Sequence, residues 1–125
     1  MSYGAAPVIS DVVGGEYSRL ARFAGGAAAV VDLVSVGFTV NYISTGVVDL
    51  VWQEYPGTYL GIIGYGFEAD TPSGVAGFTV CAGAYNTTTR TLRLNINNGS
   101  NALADLTATQ RLTVRIAFAM QNLTM

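Results

Sequence analysis

Glu68 and Asp70 stand close together in a polar segment, and Asp49 and Glu54 precede them on what reads as a hairpin and its exit. Paired carboxylates serve as acid and base in glycoside hydrolysis, or ligate calcium through several oxygens. Here neither the spacing nor the neighbouring residues form an EF-hand or another recognised calcium loop, so the four acids read as solvated charges. Trp52, Tyr55 and Tyr59 offer ring faces on which a sugar can stack. Trp52 shares an apolar face with Val48 and Leu50, which is a core position. That leaves Tyr55, beside the Pro56-Gly57 turn, and Tyr59 as the candidate glycan contacts. Arg93 and Arg115 lie on the polar faces of strands whose other faces are apolar. Asp49 and Asp105 are their candidate partners, within the subunit or across an interface, because a guanidinium grips a carboxylate at two points.

The composition removes several classes of chemistry. The chain has no histidine, and with it go the Ser-His-Asp and Cys-His arrangements and the usual transition-metal ligand. Cys81 is the one cysteine; it forms no intrachain disulfide, which suits a reducing compartment, and its small, apolar neighbours predict a buried, inert thiol. Lysine is absent, and the basic residues are Arg19, Arg22, Arg90, Arg93, Arg111 and Arg115. With a net charge of −2 and no basic run, the chain lacks what phosphate neutralisation requires, so a nucleic-acid partner is not expected. No catalytic residue, cofactor or metal is expected either. The triplets at Asn86, Asn98 and Asn122 match the glycosylation pattern, but the first two read as turn chemistry. Met1-Ser2-Tyr3-Gly4 lacks the basic and apolar regions of a signal peptide. Ala24 to Ile43 is the longest mainly apolar run, yet Asp32 and Asn41 interrupt it and its alternation is strand-like, so no membrane span is expected.

The elements that hold these residues follow from two-residue alternation. In Leu112 to Met120 the even positions are Leu, Val, Ile, Phe and Met, and the odd ones Thr, Arg, Ala and Ala. A strand puts those five apolar groups on one side, and burying each is worth roughly 1.5–3 kcal/mol. Such a strand belongs inside a sheet. Val34, Val36, Phe38, Val40 and Tyr42 share a face, then Ser44-Thr45-Gly46 turns the chain into Val48, Leu50 and Trp52, which makes a hairpin. Further strands are expected at Tyr17 to Phe23, at Thr58 to Phe67, along Phe78 to Ala84 and along Leu92 to Ile96. Glycines 61, 64 and 66 suggest a bend or a close approach. The prediction is an all-β fold: an antiparallel β-sandwich, jelly-roll-like, of seven to eight strands. Residues 1–28 read as an extended arm and small-residue joint with a possible first strand, and 29–125 as the sandwich. Half the residues are apolar and 11% charged, against about 25% charged in an average domain. A surface that poor in charge predicts an oligomer.

From Phe38 onward the chain resembles the small β-sandwich domains of tailed-bacteriophage virions, found in capsid decoration proteins and in fibre tips. The resemblance rests on Thr45-Gly46, Val47-Val48-Asp49-Leu50-Val51-Trp52, the Pro-containing turn and Tyr59. Arg90-Thr91-Leu92-Arg93-Leu94, the Asp105 loop and the closing strand Leu112 to Phe118 complete it. It implies a homotrimer around a three-fold axis, located in a virion assembled in the host cytoplasm, with the major capsid protein or another virion protein as partner. No catalytic motif comes with it. Only a short segment precedes the sandwich, where a fibre carries a long shaft, so a non-enzymatic capsid decoration (cement) protein is the expected function. A receptor- or glycan-binding fibre tip is the alternative. Tyr3, Val8, Ile9, Val12 and Val13 give the arm apolar groups with which to dock on a partner.

Overall fold

The computed structural model describes residues 12–13, 15–54 and 57–120. Nine strands lie among them: β1 (Val12–Val13), β2 (Glu16–Gly26), β3 (Ala29–Ser35), β4 (Phe38–Ser44), β5 (Val47–Trp52), β6 (Gly57–Ala69), β7 (Thr79–Ala82), β8 (Thr91–Asn97) and β9 (Gln110–Met120). All pairings are antiparallel. In one sheet β1 and β3 both pair with β2, which is followed by β9 and β6; in the other the order is β4-β5-β8-β7. The chain is a β-sandwich, as the alternation predicts.

The alternating strands meet face to face. β9 lies between β2 and β6 and presents Leu112, Val114, Ile116 and Phe118 to the core, each fully buried. Leu50 and Trp52 of β5 and Leu92, Leu94 and Ile96 of β8 close on them from the other sheet. Phe118 is the hub of an aromatic cluster, stacked on Trp52 with centroids 4.3 Å apart and touching the rings of Tyr17, Phe38, Tyr59 and Tyr85. The β4–β5 hairpin forms in the expected register, with Phe38 opposite Trp52 and Val40 opposite Leu50.

Four expectations need correction. The sandwich begins no later than Glu16, not at residue 29: β2 pairs with β9 along Glu16 to Ala24 and buries Tyr17, Ala21 and Phe23. The small-residue joint belongs to the β2–β3 hairpin. Gly25 within it allows a close crossing, because a Cβ there would lie 1.7 Å from the Leu106 carbonyl oxygen. The run from Val34 to Tyr42 is two strands in different sheets, broken at Gly37. That residue has φ +83°, and a Cβ on it would meet the Trp52 ring at 2.6 Å, so only glycine makes the crossover there. In β6 the bend is the alternative that forms, through bulges beside Gly61 and Gly64; a Cβ at Gly61, Gly64 or Gly66 would meet nothing within 4 Å, so the close approach is the part corrected. Cys81 is exposed: Val80 packs on the core, and the strand period turns its neighbour outward.

Of the expected arm, Val12 and Val13 pair with Tyr17 and Glu16; Tyr3, Val8 and Ile9 lie outside the described residues, as does Tyr55. β3 runs on into β4 through Gly37, which puts these two edge strands on one flank of the sandwich. β6 and β7 form the opposite flank, where Phe67 meets Phe78 edge to face.

Candidate functional site

Asp49 meets Arg93, one of its two candidate arginines, and Glu54, Glu68 and Asp70, read as solvated charges, are each held by an arginine as well. Asp49 and Arg93 are cross-strand partners on β5 and β8, and the guanidinium donates from Nε to Oδ1 at 2.8 Å and from its terminal nitrogen to Oδ2 at 3.0 Å. The two-point contact raises the Arg93 pKa, first through the hydrogen bonds to Asp49 and then through its charge. Glu68 accepts from Arg22 and lies 3.9 Å from Arg111, which also binds Asp70 at 3.0 Å. The hydrogen bond from Arg22, more than its charge, holds the Glu68 carboxyl below its ordinary value. Glu54 is buried rather than solvated, and accepts from Arg19 at 3.3 Å. Acids engaged in this way have their lone pairs taken up by guanidinium donors rather than aimed at a common point. Among the described residues no group of three or more metal-ligating side chains converges on one point, and no helix is long and apolar enough to cross a membrane.

Asp105 does not meet either arginine. Its carboxylate accepts from the Gly46 backbone N–H at 2.8 Å and from the Tyr42 hydroxyl at 3.2 Å, which ties the loop before β9 to the β4–β5 turn. Burial first, then the bond to Asp105, raises the Tyr42 pKa. Gly46 has φ +70° and sits 2.7 Å, by its absent Cβ, from the Ala104 nitrogen; no larger residue fits under that loop. Arg115 donates to the Ser18 hydroxyl at 3.2 Å and is exposed. Tyr59 is partly buried and stacks on Tyr85, centroids 4.7 Å apart and planes 11° from parallel, so one face of the candidate sugar platform is taken. Burial raises the pKa of both phenols. Asn86 and Asn98 cap turns through their Oδ1 atoms, each accepting two backbone N–H groups.

The surface feature that alternation alone does not reveal is a set of four β-bulges among the described residues. The register skips one residue between Phe23's partner Asp32 and Arg22's partner Val34, one between Tyr42 and Ser44, one between Tyr59 and Gly61, and one between Ile62 and Gly64. The residues left out of the ladders are Leu33, Ile43, Leu60 and Ile63. All four are large aliphatics and all are exposed, from 43% at Ile43 to 59% at Ile63. A bulge re-aims the side chain at its extra residue, and here each bulge lifts an aliphatic out of the sandwich. Val31, Val34 and Val36 extend the β3–β4 flank, and Tyr65 extends β6. The signal in the sequence is a pair of adjacent apolar residues, Leu33-Val34, Tyr42-Ile43, Tyr59-Leu60 and Ile62-Ile63, where a half-buried strand should alternate.

Compared with protein-family models, with curated proteins and with solved structures, the chain gives no match.

Proposed function

We propose that the chain is a non-enzymatic structural subunit of a virion, a trimeric decoration protein that binds and stabilises a tailed-phage capsid. The observation that carries this reading is the display of Leu33, Ile43, Leu60 and Ile63 by bulges on the edges of a well-packed sandwich. Isolated exposed hydrophobics are ordinary, but aliphatics gathered on two flanks mark surfaces meant to be covered. The engagement of Asp49, Glu54, Glu68 and Asp70 with arginines favours a structural role over acid–base chemistry. The virion context rests on the resemblance of the strands from Phe38 onward.

Within this reading the N-terminal arm, with Tyr3, Val8 and Ile9, holds the shell or a neighbouring subunit. The eleven residues before β1 can span at most roughly 40 Å, enough to cross a subunit boundary. The test is a cryo-electron microscopy map of phage particles assembled with the full chain and with residues 2–11 deleted. Three-fold knobs on the shell that weaken or vanish on deletion are the expected result. Shells without such density when the full chain is present would overturn the reading.

A further inference from the structure

We infer that copies of this chain associate head to tail, the β3–β4 flank of one subunit seating on the β6 flank of the next. The inference rests on the oligomeric reading above and specifies its interface. The two apolar surfaces lie on opposite edges of the molecule: Val31, Leu33, Val34 and Ile43 on one, Leu60, Ile63 and Tyr65 on the other. A two-fold contact uses the same patch on both partners, so it would cover one flank and leave the other in water. A heterologous contact covers both at once, and closes into a ring when the rotation permits.

Charge makes the two flanks complementary. Asp32 is exposed on β3 and accepts only from the Ser35 hydroxyl among the described residues, with no cation in ion-pair distance. Arg115 is exposed on β9 directly opposite Gly64 of β6, and among the described residues no carboxylate pairs with it. The other acids beside the apolar flanks, Glu68 and Asp70, already have arginine partners. Seating the β3 edge on β6 therefore brings an acid lacking a cation toward a cation lacking an acid, at the rim of an apolar contact.

The shape of β6 also favours this occupant. Its two bulges disrupt the edge, which disfavours addition of a further strand through backbone hydrogen bonds. Contact then has to come from side chains, and the open space at Gly61, Gly64 and Gly66 leaves the outer face shallow enough to receive them.

The test uses the full chain and two surface variants, Leu33→Asp and Ile63→Asp, followed by sedimentation velocity with circular dichroism as the check on folding. Each variant alone should fall to one subunit mass. An equimolar mixture should regain a species of twice that mass, because one intact flank remains on each chain. The second pair is Asp32→Arg and Arg115→Asp: either should weaken association, and the double variant should recover it. A wild-type chain that sediments as a monomer overturns the oligomeric reading and this inference with it. A wild-type oligomer that survives Leu33→Asp or Ile63→Asp, or a charge swap without recovery, overturns the head-to-tail interface while leaving the oligomer standing.

Discussion

Arg19 reaches across the sandwich from β2 to Glu54, just past the end of β5, with Nε 3.3 Å from Oε1 and the guanidinium carbon 5.1 Å above the Tyr17 ring centroid. Arg19 shares its strand face with Tyr17, Ala21 and Phe23, so it is an inward-pointing cation at the end of the core. Its side chain is 12% exposed and that of Glu54 8%. Arg90 donates to the Glu54 carbonyl at 2.9 Å from the same end. The contact links the two sheets where the aromatic cluster stops.

Arg19→Met should cost about 3 kcal/mol in urea unfolding, because it leaves the Glu54 carboxylate buried without the cation that compensates it. Arg19→Met combined with Glu54→Leu should recover much of that loss, since a buried pair replaced by apolar groups is close to neutral. A double variant no more stable than the single one would show that the pair is not coupled.

Phe118→Ala should cost roughly 3–5 kcal/mol, by removing a fully buried ring from the centre of a five-ring neighbourhood and leaving a cavity. A loss below about 1 kcal/mol would mean that the β9 face is not core.

Gly25→Ala should cost at least about 1–3 kcal/mol, the range for overpacking. The added carbon would fall on the Leu106 carbonyl, so the loop before β9 must shift. Loss of the Gly25 N–H bond to Thr107, now 3.1 Å, read as faster amide exchange at Gly25, is the accompanying signature.

Acid should weaken the Arg22–Glu68–Arg111 contact. The Glu68 carboxyl titrates below its ordinary value of 4.5 in the folded chain. Its contribution is therefore complete above that value and is lost as pH falls through the lower folded pKa. The unfolding midpoint of Glu68→Gln, followed downward from pH 5, should decline less steeply than that of the wild type. Parallel declines would show that Glu68 carries none of the acid sensitivity. The side chain is more than half exposed, so salt should reduce the difference.

Much of the fold was legible in the alternation of single strands. The apolar series of β9, β5 and β8 identify their buried faces without any pairing, and the Ser44-Thr45-Gly46 turn identifies the β4–β5 hairpin. What strand period does not carry is partnership across the chain. Arg19 meets Glu54, and Arg22 meets Glu68, over separations of 35 and 46 residues, so which acid is neutralised depends on the topology. The break at Gly37 was hidden because apolar residues at 34, 36, 38 and 40 continue one alternation through a change of sheet. The exposed aliphatics were hidden for the opposite reason. A bulge shifts the period by one residue, and a reading that assumes a regular ladder assigns Leu60 and Ile63 no face of their own.

The mass of the full chain in solution most directly tests whether a second copy covers the two flanks. Multi-angle light scattering at micromolar concentration should give three times the subunit mass, unchanged on moderate dilution. A single subunit mass under those conditions would contradict the account, since Leu33, Ile43, Leu60 and Ile63 would then stand in water with nothing to cover them.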